Sequence, residues 1–86
     1  MTNKIVERIT RSFESQSMMK NLGATIHKVE KGNVIIEAPI LPSTLQQQGY
    51  GHAGLTFSIG DSAAGYSALT LLPEDQEVMT SEIKIN

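Results

Sequence analysis

Residues 46–66 read QQQGYGHAGLTFSIGDSAAGY, a stretch with three closely spaced glycines, one histidine and one carboxylate, Asp61. Gly49, Gly51 and Gly54 fit G-x-G-x-x-G letter for letter. A dinucleotide fingerprint also needs a strand directly before its first glycine and an acid about 20 residues further on, at the end of a second parallel strand. Here three glutamines precede Gly49, Pro42 breaks any strand nearby, and no acid stands at the right place. A serine elbow is disfavoured in the same way. Thr56-Phe57-Ser58-Ile59-Gly60 lacks the first glycine of G-x-S-x-G, and His52 precedes Ser58 where the acid and histidine should follow it. Ser58 reads instead as a helix residue.

That helix is expected from Ala53 to Leu72. Leu55, Ile59, Tyr66 and Leu69 lie on one side, while Gly54, Gly60, Ala63, Ala64, Gly65 and Ala68 keep it slim. Each glycine costs a helix about 1 kcal/mol relative to alanine. A helix that tolerates three of them and is apolar nearly all round is expected to be enclosed by other structure. Upstream, Ile5, Ile9 and Phe13 recur every four residues with Val6 beside them and charges elsewhere, the pattern of an amphipathic helix capped by Thr2 or Asn3 and ending before Leu22-Gly23. Residues 24–30 and 34–38 are β-prone runs around a Lys31-Gly32-Asn33 turn. Pro39 and Pro42 then open a polar loop over 39–52. Downstream of Pro73, EVMTSEIKIN alternates as a strand, with Met79, Ser81, Ile83 and Ile85 facing one way and Thr80, Glu82 and Lys84 the other.

The chain has 86 residues, no cysteine, and seven basic against nine acidic side chains. One domain, 1–86, is expected, and a chain of this length buries only about 60 to 65% of its unfolded surface, which makes oligomerisation the natural added stabiliser. The absence of cysteine excludes disulfides and thiolate chemistry. With no basic run and only two Tyr and two Phe, nucleic acid is not an expected partner. No segment approaches the ~20 apolar residues of a membrane span, and MTNKIVERITRSFES is too charged for a signal peptide, so a cytoplasmic location and no membrane partner are expected. His27 and His52 are far apart with no further ligand at helical spacing, so no metal and no cofactor are expected, and His27 reads as an ordinary strand histidine.

What remains is acyl chemistry at a helix N-terminus. The first amides of a helix lack partners within it and carry the positive end of its dipole, so Ala53 and Gly54 offer donors to a developing oxyanion. Gly49, Gly51 and Gly54 let a substrate approach the backbone closely. Asp61, desolvated among small apolar residues, suits a general base or nucleophile; the plain alternative is that it caps a loop or faces water. Ala53 and Asp61 are eight residues apart, ~12 Å along one helix at its standard rise. One carbonyl cannot touch both. If they act on one carbon, they come from two chains with antiparallel helices, and the catalytic reading requires a dimer. Phe57, Met79 and Tyr66 hint at an apolar or aromatic acyl site.

Leu22-Gly23, the strand ending VIIEAPI, Q-x-x-G-x-x-H-A-G, the Asp61-Ser-Ala-Ala-Gly-Tyr segment and the closing T-S-E-I-K-I-N together resemble hotdog-fold thioesterases of the PaaI type, acyl-CoA hydrolases. The resemblance runs from about Phe13 to Asn86. It implies an α+β hotdog fold, in which a curved antiparallel sheet wraps a long central helix, with active sites between two subunits of a homo-oligomer, a dimer or tetramer. Carried over by position, Asp61 is the general base or nucleophile and the Ala53 amide polarises the thioester carbonyl. Gln46 stands where a polar side chain, often Asn, holds that carbonyl, His52 shapes the loop and contacts substrate, and Thr80 or Ser81 positions water. H-A-G replaces the usual H-G-G, which keeps the backbone amide and adds a methyl group. Family members are typically half as long again, their further strands following K-I-N, so a partial hotdog domain truncated after the strand that follows the central helix is expected. The functional expectation is an acyl-CoA thioesterase; the alternative is a catalytically incompetent truncated module with a binding or assembly role.

Overall fold

Ile5, Ile9 and Phe13 form the inward stripe of helix α1 (Asn3–Glu14) in the computed structural model, which describes residues 3–86. Ile9, at 0% exposure, is the most deeply buried side chain of the core, where it joins Met19, Ala24, Val34, Ile36, Tyr66 and Leu69. The expected cap rests on Thr2 and the Asn3 side chain, which lie outside the described residues. α1 ends before Leu22-Gly23, as expected, at Glu14. It closes at Ser15 and Gln16, whose amides donate to the carbonyls of Ser12 and Phe13, and extended Gln16 then opens a short helix α2 (Ser17–Asn21). No proline or glycine announces this break.

Gly23 stops α2 with φ +68°. Its amide donates to the Lys20 carbonyl at 3.0 Å and that of Ala24 to Met19 at 2.9 Å, the paired bonds of a Schellman ending, in which glycine takes the left-handed position at least cost. The chain is thereby turned into strand β1 (Thr25–Glu30), which pairs antiparallel with β2 (Asn33–Glu37) through a two-residue turn at Lys31-Gly32. Asn33, expected in the turn, starts the second strand. β2 alternates cleanly, with Val34 and Ile36 buried. β1 does not: Ile26 faces Ile36 and Lys28 faces Ile35, so His27 is the extra residue of a β-bulge. His27 is an exposed strand residue, its Nδ1 2.6 Å from a Glu37 carboxylate oxygen.

The polar loop after β2 is more ordered than its composition suggests. A 3-10 turn, Pro42–Thr44, is tied by the buried Thr44 hydroxyl, which accepts from the Leu41 amide and donates to the Leu41 carbonyl. An isolated bridge, Leu45 to Gly51, then closes the loop just before helix α3 (Ala53–Leu69).

α3 ends three residues earlier than expected. Its last turn tightens, with the Leu71 and Leu72 amides donating to Ala68 and Leu69, while the Thr70 hydroxyl donates to the Ser67 carbonyl at 2.7 Å. Side-chain hydroxyls of this kind compete with the backbone ladder, so the helix stops before Pro73. Thr70 and Ser67 also hold the hairpin to the helix: the Gly32 amide donates to Thr70 Oγ at 2.7 Å and the Val34 amide to Ser67 Oγ at 2.9 Å.

The expected strand at 77–86 is absent. Residues 76–86 form no ladder, because alternation sets which face each side chain takes but a strand also needs a hydrogen-bonded neighbour. The segment runs back along α3 instead, with Val78 beside Gly65, Thr80 on Asp61 and Ile85 beside Gly60. A bend at Ser81 breaks the expected phase: Thr80 turns toward the helix while Met79 is 92% exposed. Nor is α3 enclosed. Two strands make a sheet only ~10 Å wide, enough for one side of a helix, and Ala53, Phe57, Ala64 and Ala68 remain exposed. Among the described residues no helix is long and apolar enough to cross a membrane.

Ile9→Ala removes the best-buried side chain and is expected to cost about 2–5 kcal/mol, read as a lowered urea midpoint. The Lys4–Glu74 pair, 2.9 Å apart on the surface, gives the opposite expectation. Its hydrogen bond and charge lower the Glu74 pKa and raise that of Lys4, so its contribution is present above the ordinary glutamate pKa, fades as pH falls through the lowered one, and fades again as pH rises through the raised lysine value. Both groups are fully solvated, and screening makes the pair weak; Glu74→Gln should leave the neutral-pH melting temperature unchanged.

Candidate active site

The loop from Leu45 to His52 delivers the N-terminus of α3. Gln46 organises it from within. Its amide donates to the Tyr50 carbonyl at 2.8 Å, its own carbonyl accepts from Gly49, and its side-chain oxygen accepts from the Gln48 and Tyr50 amides at 2.5 and 3.2 Å. The Gln46 side chain, expected to hold a substrate carbonyl, is thus folded into its own turn. Gly49 closes that turn at φ +86°. A Cβ there would meet nothing within 4 Å, so backbone conformation, not close contact, is the visible reason for glycine.

His52 is the N-cap of α3. Its Nδ1 accepts from the Gly54 amide at 2.7 Å, which satisfies one of the helix's unpaired donors. An accepting Nδ1 requires the neutral tautomer with its proton on Nε2. Two consequences follow for the expected oxyanion donors. Gly54 is engaged by His52 and does not offer its amide to a ligand. Ala53 has no partner for its N–H among the described residues, and it is exposed at the positive end of the helix.

Asp61 lies two turns further along α3. It is half-buried at the edge of a cleft of about 250 Å³ bounded by Ser12, Gln16, Tyr66, Val78 and Thr80. This is an open, mixed polar setting and not the apolar enclosure the sequence suggested. The Thr80 hydroxyl donates to Asp61 Oδ1 at 2.7 Å. With its one proton so placed, Thr80 Oγ still has lone-pair capacity to accept from a water that also donates to the carboxylate. Ser81 is exposed and takes no part in this pair.

Tyr66, Phe57 and Met79 do not form one acyl site. Tyr66 is a core residue, 7% exposed, its hydroxyl accepting from Gln16 Nε2 at 2.8 Å and lying 3.0 Å from Ser12 Oγ. Its ring meets that of Phe13 at a centroid distance of 6.3 Å. Phe57 is 41% exposed on α3, one turn from Asp61 on the same side of the helix. Met79 points to solvent. Ser58 bonds back to the Gly54 carbonyl at 2.8 Å, as a helix serine does.

The chain therefore carries two separate clusters, the Ala53 amide with its supporting loop and the Asp61–Thr80 pair. None of Gln46, His52 and Ala53 lines the Asp61 cleft. A larger hollow, about 710 Å³, lies between α1 and the turn after α3 and contains none of the expected site residues. Sequence reasoning missed Arg8, which borders that hollow and reaches the backbone leading to Thr80. An arginine 64 to 69 positions from its partners carries no local signal of such a contact.

No protein-family model matches the sequence, and no curated protein gives a significant match. Among solved structures, the chain is similar to a thioesterase family protein from Silicibacter pomeroyi, at 36% sequence identity and a TM-score of 0.92. The match covers 95% of this chain and 60% of that one. Over the aligned residues the two share an α+β fold, and this chain spans about three fifths of the length of that thioesterase family protein.

A side chain at position 54 would place its Cβ 2.9 Å from His52 Nδ1, so Gly54→Ala should displace the cap and cost about 0.5–2 kcal/mol. His52→Ala should cost a similar amount. In the double variant the losses should not add, since both single changes break the same bond; additive losses in urea melts would mean that the cap is not what Gly54 serves.

Proposed function

We propose that this chain belongs to an acyl-CoA thioesterase of hotdog type and PaaI-like class, working as a dimer or higher homo-oligomer. The observation that carries the reading is the Asp61–Thr80 pair, a carboxylate held by a hydroxyl at 2.7 Å, with Asp61 on the same helix as the Ala53 amide, which has no partner among the described residues. The likeness to a thioesterase family protein supports it. In this scheme the thioester carbonyl accepts from the Ala53 N–H of one protomer, at the positive end of α3. Asp61 of the partner subunit takes a proton from water, which adds to the carbonyl carbon; the C–S bond breaks, and the proton leaves with the thiolate. Asp61 acting directly as nucleophile uses the same geometry. Thr80 orients the carboxylate and the water, Phe57 and the backbone at Gly49 border the substrate, and His52 holds the donor loop. The ~12 Å between Ala53 and Asp61 along one helix is what calls for two chains.

A second reading, binding or assembly without turnover, draws on residues 76–86. They form neither helix nor ladder, and backbone without a ladder partner is open to pairing with another chain. One experiment separates the two readings: thiol release from a panel of acyl-CoA thioesters, with the solution mass taken on the same sample. The first reading expects a dimer or tetramer that turns over, with Asp61→Asn lowering kcat by at least about 100-fold while the melting curve stays in place. Undiminished hydrolysis by Asp61→Asn removes Asp61 from the mechanism, and a well-defined oligomer without any turnover favours the second reading.

A further inference from the structure

The Thr80–Asp61 bond raises a physical difficulty. Thr80 sits in a segment with no ladder and few buried side chains, and ordering backbone costs about 1–2 kcal/mol per residue. One solvated hydrogen bond contributes only about 1 kcal/mol. That bond alone does not hold residues 76–80 in place.

Arg8 does. Its guanidinium donates through Nη1 to the carbonyls of Leu72 and Pro73, at 3.3 and 3.1 Å, and through Nη2 to the Gln76 carbonyl and to Glu77 Oε2. These acceptors span the whole turn that reverses the chain after α3, and the turn is closed on itself by the Gln76 amide bonding to Pro73. A planar fork that is always charged can reach several acceptors at once, which a single ammonium cannot. The base of the fork is rigid as well, because Arg8 precedes the fully buried Ile9 and its own side chain is only 20% exposed. The last residue it touches, Glu77, is three positions before Thr80. From there Val78 lies beside Gly65, and Thr80 arrives at Asp61, one turn nearer the head of the helix.

We propose that Arg8 is a positioning residue for the Asp61 site: by fixing the turn at residues 72–77 it sets the register of the following segment on α3 and so places the Thr80 hydroxyl on the carboxylate. Its effect on turnover rests on the thioesterase reading above, but its effect on Thr80 does not, and the two are tested separately.

The placement is read by NMR on Arg8→Ala. In the unaltered chain the Thr80 methyl signal should shift with pH as Asp61 ionises, and this response should vanish in Asp61→Asn. In Arg8→Ala the response should be lost while signals from α1 and α3 stay in place. A folded Arg8→Ala whose Thr80 still follows Asp61 as in the unaltered chain overturns the proposal. Should Arg8→Ala fail to fold, Arg8→Lys, which keeps charge and stem but not the fork, is judged by the same criterion. The kinetic arm uses a double-mutant cycle. Arg8→Ala and Thr80→Val should each lower kcat by about tenfold with KM little changed, the size expected for one lost hydrogen bond to a reacting group, and the double variant should lose about tenfold, not a hundredfold. Multiplicative losses would mean that Arg8 does not act through Thr80. If the unaltered chain hydrolyses no thioester, the functional reading fails, and the Thr80 titration alone decides the role of Arg8.

Discussion

Helix α3 has more apolar surface than this fold covers, and the rest of the molecule is arranged by that imbalance. Leu55, Tyr66 and Leu69 are buried and Ile59 and Ala63 pack against the core. The hairpin covers that side, held by hydroxyls of Ser67 and Thr70 that reach its backbone amides. α1 and α2 wedge in through Ile9 and Met19. The returning segment after residue 76 covers a further strip, with Ile85 beside Gly60 and Val78 beside Gly65.

The same arrangement decides which polar groups are structural and which are available. Ser12 and Gln16 saturate the Tyr66 hydroxyl, Ser67 saturates an amide of β2, and Gln46 saturates its own loop. Against that background Asp61 and the Ala53 amide differ. One is a half-buried carboxylate with a single hydroxyl partner, and the other is a helix-terminal donor with none among the described residues. Groups of opposite electrostatic character lie at two points along one helix, too far apart for a single small ligand.

Much of this was legible in the sequence where the signal is local. The stripe of Ile5, Ile9 and Phe13 marked α1, Gly32 marked the hairpin, and the change from loop to small apolar residues marked the start of α3 at Ala53. What escaped depends on partners distant along the chain. Tyr66 looked like a pocket residue because Ser12 and Gln16, some fifty positions earlier, gave no sign of meeting it. The alternation of residues 77–86 reported a side-chain rhythm and nothing about a neighbouring strand. The bulge at His27 and the break at Ser15 and Gln16 involve residue types that fit a continuous element equally well. At the head of α3, that the Gly54 amide is occupied and that Gln46 folds inward are matters of side-chain direction, which spacing does not encode.

The cap at the head of α3 also constrains how this sequence can drift. The imidazole of His52 occupies the space a Cβ at position 54 would need, so a side chain at 54 and the histidine cap at 52 exclude one another. A shorter acceptor at 52, such as serine or aspartate, caps the same helix while withdrawing the ring, and only then does position 54 become free to take a side chain. Position 53 lies between them with its own amide outside the bond, so its side chain can change without disturbing the cap; the alanine found there is one such choice.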